Sequence, residues 1–176
     1  MTPVSLGKVT VAAAGTRVQL GATTLSAAAL STDTTLTVAS AAGFSSDMCP
    51  FPALVETEVV RVTAIAGTSF SVVRGQSGSI PSAHSAGVAV AAQLQFSVLF
   101  ATVIAGLTGK CYLGTKSLNA VSFAGTIKQF WPNAAGGVDD NFTMESATGE
   151  NIFSLNSYWV DAAVSGEGLI ISLWIA

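Results

Sequence analysis

The stretch ETEVVRVTAIAGTSFSVVRG, from Glu56 to Gly75, decides the fold class. It contains two runs rich in Val, Ile, Thr and Phe on either side of a short Ala-Gly-Thr segment, which is the pattern of two strands joined by a tight turn. We predict a long strand over Ala53–Ile65, bent or interrupted by a β-bulge, because its apolar residues do not keep one parity throughout. A second strand is predicted over Ser69–Arg74, after a turn at Ala66-Gly67-Thr68.

Similar short runs recur along the whole chain, separated by Gly, Ser, Asn or Pro, and helical periodicity is weak. This spacing is typical of an all-β sandwich or barrel. Short helices are predicted only at Thr23–Leu30 and Ile152–Ser157. The other predicted strands are Lys8–Ala13, Arg17–Leu20, Thr35–Ala39, Val88–Ala92, Gln95–Val103, Lys110–Gly114, Gly125–Phe130, Asn141–Glu145, Tyr158–Ala163 and Gly168–Trp174.

The composition changes near residues 23–31 and again near 91–93, and all three Trp and both Tyr follow the second change. An N-terminal hairpin is too small to be stable alone. We therefore predict a jelly-roll-like β-sandwich built from residues 1–26 and 93–176. It is interrupted by an inserted β-barrel or β-rich module at 27–92, since insertions succeed where the host chain's ends lie close together. Two consecutive domains are the alternative.

The chain has 176 residues, half of them hydrophobic, and only 10% are charged. Soluble domains typically carry about 25% charged residues, so a charge-poor surface indicates packing against other chains. The net charge is −3 and the seven basic residues are scattered. This predicts no nucleic-acid partner and no anionic membrane surface.

No cofactor motif is present in the sequence. Cys49 and Cys111 lie far apart and outside any CxxC motif, which predicts two unpaired thiols. The N-terminus lacks a secretory pattern, and the apolar run Phe96–Leu107 is shorter than the roughly 20 residues of a membrane-spanning helix. We therefore expect synthesis and retention in a cytoplasm.

The segment SVVRGQSGSIPSAHSAGVAV, Ser71–Val90, holds the chain's only His and invites a catalytic interpretation. His84 has several serines nearby, but no G-x-S-x-G elbow is present and no Asp lies between Asp47 and Asp139. The structural interpretation is a glycine-rich loop between strands. In it, Arg74 contacts Glu58 or Glu56, and His84 hydrogen-bonds loop backbone. The residues expected to hold this module together are Glu58, Arg61, Arg74, Gly75, Gly78, His84 and Gly87.

Two further features are candidates for binding. Asp139 and Asp140, with acidic residues downstream, form the densest acidic patch, although their spacing matches no EF-hand. Loop solvation and calcium or partner binding both remain open for it. The aromatic residues Trp131, Tyr158 and Trp159 are candidates for the core, a subunit interface or ligand stacking, and Trp174 is a candidate for the core or an interface.

Residues 35–90 resemble a small β-module that recurs in structural proteins of tailed bacteriophages. The resemblance rests on four segments: Thr35-Leu36-Thr37-Val38, Glu58 with Arg61, Val73-Arg74-Gly75-Gln76-Ser77-Gly78-Ser79, and Ala83-His84-Ser85-Ala86-Gly87-Val88. Ser79 stands where the pattern usually has Thr.

Three other segments resemble a family of small phage virion proteins: Thr2–Leu20, Gly106–Asn119 and Tyr158–Ala176. The first segment adjoins the others in that family, as an insertion requires. The resemblance implies a particle component and no catalytic residues.

From these observations we predict a non-enzymatic virion structural protein made in the cytoplasm of a bacterial host. Capsid decoration is the first role, and a neck, tail or baseplate component is the alternative. Expected partners are other copies of the chain, as a homo-oligomer such as a trimer, and the major capsid or other virion proteins. A host-glycan-binding module and a hydrolase centred on His84 are the hypotheses from other classes.

Overall fold

The computed structural model describes residues 2–103, 108–118, 122, 124–131, 141–146 and 153–175. The predicted all-β class is confirmed: within those ranges every helix is a single 3₁₀ turn, at Ser46–Met48 and at Leu155–Ser157. The helix predicted at Thr23–Leu30 is wrong, because its start is a strand. The described strands are β1 Thr2–Thr10, β2 Val18–Gln19, β3 Ala22–Thr24, β4 Thr35–Thr37, β5 Phe51–Val55, β6 Glu58–Ala66, β7 Ser69–Gln76, β8 Ala89–Ala92, β9 Gln95–Phe96, β10 Val98–Val103, β11 Cys111–Gly114, β12 Thr126–Phe130, β13 Asn141–Glu145, β14 Phe153–Ser154, β15 Trp159–Ala162 and β16 Gly168–Ile175.

The chain divides into two compact units, one of residues 1–20 with 95–176 and one of residues 21–94. The sequence places the same division at 26/27 and 92/93. The difference arises because β3 pairs with β8, with Ala22 opposite Ala91. Residues 22–24 therefore belong to the second unit.

The first unit contains two four-stranded antiparallel sheets, in the orders β1-β16-β10-β13 and β12-β11-β15-β2. When the eight strands of these two sheets are numbered along this unit alone, the orders become 1-8-3-6 and 5-4-7-2. This is the strand order of a jelly roll, which is built from two Greek keys. The second unit is inserted between strands two and three of that jelly roll.

The core of the jelly-roll unit lies between its two sheets. One face of the first sheet buries Leu99, Leu169 and Leu173, and the second sheet buries Leu113 and Val160. The alternation of buried and more exposed residues along β10 and β16 is that of sheets with one face on the core.

The second unit is a six-stranded antiparallel sheet in the order β3-β8-β5-β6-β7-β4. Its two edge strands meet at a bridge between Leu25 and Val38, where Ser26 N donates to Thr37 O at 2.9 Å. The sheet therefore curls on itself into a small barrel-like module. We call it the barrel module.

The long strand predicted over Ala53–Ile65 is in fact two strands, β5 and β6. They form a hairpin in which Val55 pairs with Glu58 across a two-residue turn at Glu56-Thr57. Glu56 has a positive φ of 54°, which is unusual for a residue other than Gly, Asn or Asp. The irregularity predicted for this region is present in β6, where the pairing register with β7 shifts twice.

Candidate functional site

The polar centre of the barrel module is a cluster of four side chains: Glu56, Glu58, Arg74 and His84. We call it the Glu–Arg–His cluster. Glu56 lies in the β5–β6 turn, Glu58 begins β6, and Arg74 lies near the end of β7. His84 follows β7, and its backbone forms a two-way bridge with Ala29, with N–O distances of 2.8 and 2.9 Å.

Glu58 and Arg74 form a bidentate ion pair across β6 and β7. Arg74 Nε donates to Glu58 Oε1 at 2.8 Å, and Nη2 donates to Oε2 at 2.7 Å. The planar guanidinium matches both carboxylate oxygens, which makes such pairs short and directional. The contact that the sequence predicts between these residues is therefore present.

Glu58 accepts three further hydrogen bonds, from Gly75 N at 3.0 Å, Ser82 N at 3.0 Å and His84 Nε2 at 2.9 Å. Its side chain is fully buried. Burial alone raises the pKa of this carboxyl, but hydrogen bonds from Arg74, Ser82, His84 and Gly75 lower it to about 2. Glu58 is therefore a charged hub with every acceptor site used.

Arg74 extends the cluster to two other segments of the module. Its Nη1 donates to Leu30 O at 2.6 Å and to Asp33 O at 3.3 Å, and Nη2 donates to Ser82 O at 2.6 Å. The hydrogen bond to Glu58 raises the pKa of Arg74 despite the opposing effect of burial. One guanidinium thus joins the turn at residues 30–33, strand β6 and the loop around Ser82.

Both ring nitrogens of His84 face carboxylates. Nδ1 lies 2.7 Å from Glu56 Oε2, and Nε2 lies 2.9 Å from Glu58 Oε2. Ionised carboxylates only accept hydrogen bonds, so a ring nitrogen that carries a proton can donate to the carboxylate that it faces. The expectation that the His84 side chain bonds loop backbone is wrong. The tight β5–β6 turn brings Glu56 within reach of the ring.

The loop after β7 depends on Gly75, which has a φ of +61°. A Cβ at this position would lie 2.8 Å from Pro81 Cδ and 3.1 Å from Ser79 O. Gly78 and Gly87 also have positive φ values, but a Cβ there would meet nothing within 4 Å.

Arg61 is exposed, and within the described part of the chain its side chain makes no ion pair or hydrogen bond, in contrast to the side chain of Arg74.

The hydroxyl of Ser79, close to the cluster, is used elsewhere. Ser79 Oγ donates to Gln76 O and accepts from Val59 N at 3.0 Å, thereby tying the loop to β6. Ser82 contributes its backbone N and O to the cluster. Each ring nitrogen of His84 is directed at a carboxylate rather than at a hydroxyl. This arrangement lacks the nucleophile–base contact of a serine hydrolase.

The four candidate interface aromatics lie in different settings. Tyr158 is buried against Phe96, with ring centroids 5.7 Å apart. Trp159 and Trp174 are half-buried on β15 and β16. Trp131 is 57% exposed, and Lys110 Nζ lies 3.8 Å from its ring centroid. Only Trp131 is mostly exposed among the four.

A second buried carboxylate, which the sequence analysis missed, lies in the jelly-roll unit. Glu167 accepts hydrogen bonds from Thr108 N at 2.6 Å, Thr108 Oγ1 at 2.9 Å and Gly109 N at 3.1 Å. No motif marks it, because Glu167 and Gly109 are 58 residues apart. It holds the segment that leads into β11.

Asp139 and Asp140 lie outside the described residues. Across the ranges that the structure describes, no group of three or more His, Cys, Asp or Glu side chains is arranged to hold a metal ion. None of the helices in those ranges has the length and apolar character needed to span a membrane. Comparison with protein-family models, with curated proteins and with solved structures gives no match to this chain.

Proposed function

We propose that this chain is a non-enzymatic structural protein of a tailed-bacteriophage particle, with capsid decoration as its role. The observation that carries the proposal is the interrupted jelly roll, since jelly rolls are widely used in viral capsid domains. A fold alone does not determine function. The sequence resemblance of both the host and the inserted segments to phage virion proteins points in the same direction.

The chemistry of the Glu–Arg–His cluster supports a structural role for the barrel module. Arg74 and Glu58 satisfy each other, and the remaining contacts of Glu58 are backbone N–H groups and His84. A closed cluster of this kind stabilises a loop, because its polar groups bond to one another and to the backbone of the module.

The low charge of the chain supports assembly with other protein surfaces, because charged residues are depleted in the core of interfaces. The partners proposed are further copies of this chain and the major capsid protein or another virion protein, which would place the protein in the virion. A neck, tail or baseplate position would equally depend on assembly with other protein surfaces.

Rebinding to particles tests the decoration role. Purified, labelled protein is added to particles from which the native copies have been removed. Cryo-electron microscopy then shows where on the particle the label lies. Labelling over the capsid surface supports decoration, whereas labelling only at the neck or tail replaces it with the alternative position. Absence of the chain from purified particles would overturn the virion proposal itself.

Glycan binding is the second candidate, and the exposed Trp131 favours it, because jelly rolls also occur in lectins. Titration with host polysaccharides, followed by tryptophan fluorescence, tests it with Trp131→Ala as the matched variant. A change in the native protein that is lost in the variant supports glycan binding. The absence of a fluorescence change with every host polysaccharide tested would rule out glycan binding.

A further inference from the structure

The outward face of the first jelly-roll sheet can be laid out from the pairing register. Outward positions of β1, β16, β10 and β13 lie opposite one another in three rows. Written from β1 to β13, the rows are Pro3, Trp174, Val98 and Glu145; then Ser5, Ser172, Phe100 and Thr143; then Lys8, Ile170, Thr102 and Asn141. We call these twelve positions the outer face.

The middle of the outer face is apolar. Its two central strands, β16 and β10, contribute six residues, of which Trp174, Val98, Phe100 and Ile170 are apolar and none is charged. These side chains are half-buried, and Ile170 is 39% exposed. A solvated face of an antiparallel sheet is ordinarily polar. An apolar centre that includes two aromatic residues, Trp174 and Phe100, resembles the composition of an interface core.

The second sheet of the same unit differs from the first. Its strand β11 is buried at every position, including Tyr112, whose neighbours Cys111 and Leu113 point to the other side of the strand. The first sheet instead alternates between buried and accessible positions. Among the described residues, the outer face is therefore more accessible than the outward position of β11.

Two opposite charges lie at diagonal corners of the outer face. Lys8 is at the β1 end of one outer row, and Glu145 is at the β13 end of the other. Both side chains are exposed, and neither forms an ion pair with another described residue. With strands ~4.8 Å apart and ~3.4 Å per residue, the face spans ~14 Å in each direction. The diagonal therefore runs at about 45° to the strands.

We propose that the outer face binds the outer face of a second copy of this chain around a two-fold axis. The axis lies between the two faces, perpendicular to the Lys8–Glu145 diagonal. Rotation about it places Lys8 of each copy on Glu145 of the other and brings Phe100 close to the axis. The strands of the two copies then cross at about 90°, which is one of the two favoured angles for packed sheets.

The positions of Lys8 and Glu145 indicate that the binding partner of the outer face is a second copy of the chain. One two-fold operation satisfies both corners at once, which is the self-complementarity that an isologous contact requires. The inference goes beyond the virion role, because it holds for the free protein as well as for copies on a particle. The face is smaller than the ~800 Å² per partner of a standard interface. We therefore expect weak association that is detectable only at high protein concentration.

Charge reversal tests the axis directly, by sedimentation velocity over a range that reaches several hundred micromolar protein. Lys8→Glu and Glu145→Lys should each remain monomeric alone, since both corners then meet like charge. A 1:1 mixture of the two variants should dimerise as the native protein does, because each corner of the mixed dimer again joins one carboxylate to one ammonium group. The double variant should also dimerise, since its two charges are exchanged and still complementary.

Each other outcome overturns the proposal. A native protein that is monomeric at the highest concentration excludes the interface, and a mixture that stays monomeric excludes this two-fold arrangement. Melting curves establish that the exposed substitutions leave the fold intact. Ile170→Glu should abolish dimerisation, whereas Ile127→Glu on β12 should not, although Ile127 is about as exposed, at 38%. Particle rebinding is measured separately, so loss of the dimer leaves the virion proposal standing.

Discussion

Glu58 and Arg74 lie in adjacent strands and share two hydrogen bonds of 2.8 and 2.7 Å between almost fully buried side chains. The pair does more than join β6 to β7. Through Arg74 it reaches the carbonyl of Leu30, and through Glu58 it reaches the backbone of Ser82 and the ring of His84. Four segments of the barrel module are therefore held at one point: β6, β7, the turn at residues 30–33 and the loop that contains Ser82 and His84. The predictions for the module follow from this arrangement.

Glu58→Ala should strongly destabilise the barrel module. The substitution leaves Arg74 as a buried, uncompensated charge and removes the acceptor for two backbone N–H groups, a loss of about 3–5 kcal/mol. Hydrogen exchange of peptides from β5 to β8, combined with urea unfolding, measures it. Glu145→Ala is the control, because an exposed carboxylate should change stability by less than about 0.5 kcal/mol. A similar small loss at Glu58 would contradict the role of the pair.

Acid should destabilise the module through Glu58. Its folded pKa of about 2 lies below the ordinary value of 4.5, so the stabilisation is complete above about pH 4.5 and disappears as the pH falls towards 2. The linked contribution is about 3 kcal/mol. Unfolding free energies measured from pH 7 to pH 2 test this. Glu58→Gln should be less stable at pH 7 and should lose less on acidification, whereas parallel curves for the two proteins would refute the assignment.

His84→Ala should lower stability by about 2–3 kcal/mol, because it opens a cavity and deprives Glu58 of a donor. Glu56→Gln is the comparison, because Glu56 contacts the other ring nitrogen of His84. The Glu56 side chain is 52% exposed, so its loss should cost less than about 1 kcal/mol. Thermal melting of both variants gives the order. An unchanged melting temperature for His84→Ala would contradict the structural role and make His84 a candidate catalytic residue again.

The sequence was sufficient for the all-β class and limited the partner of Arg74 to Glu58 or Glu56, because both inferences depend on local patterns. Alternating apolar residues define β6 and β7, and Arg74-Gly75 at the end of a strand signals a turn that a partner must stabilise. The β5–β6 hairpin was missed because Glu56-Thr57 carries no Asn or Gly to signal a turn. The contact between Glu56 and His84 followed from that turn and was missed with it.

The outer face illustrates what sequence patterns leave undetermined. The alternation in β10 and β16 predicts which residues face outward, but not that Lys8 and Glu145 lie at opposite corners. That relationship requires the strand order 1-8-3-6, in which the first and last strands of the jelly-roll unit are neighbours. Strand pairing between residues more than 150 positions apart is set by the whole fold rather than by local propensity.

Gly75→Ala should destabilise the loop after β7 more than Gly78→Ala does. Both glycines have positive φ, so each substitution carries the left-handed penalty of about 1–2 kcal/mol. Only at Gly75 would the new Cβ also approach Pro81 Cδ at 2.8 Å, which forces Pro81 or the strand to move. We expect a further loss of about 1–2 kcal/mol. Equal effects in urea unfolding would show that the loop moves freely and that the close approach has no cost.

Native labelling should distinguish the two cysteines. Burial raises the pKa of the Cys111 thiol to about 12, with added effects from Glu167 and Asp161. Its Sγ also lies 3.5 Å from Gly168 O between the two sheets. Cys49 is half-buried, and burial raises its thiol pKa as well.

Because the thiolate is the reactive form, a maleimide at about pH 7.5 should modify Cys49 slowly and leave Cys111 unmodified until the jelly-roll unit unfolds. Mass spectrometry of digested protein locates the label, and Cys49→Ser provides the control that isolates Cys111. Rapid native labelling of Cys111 in that variant would mean that the two sheets separate readily, in conflict with the tightly closed core between them.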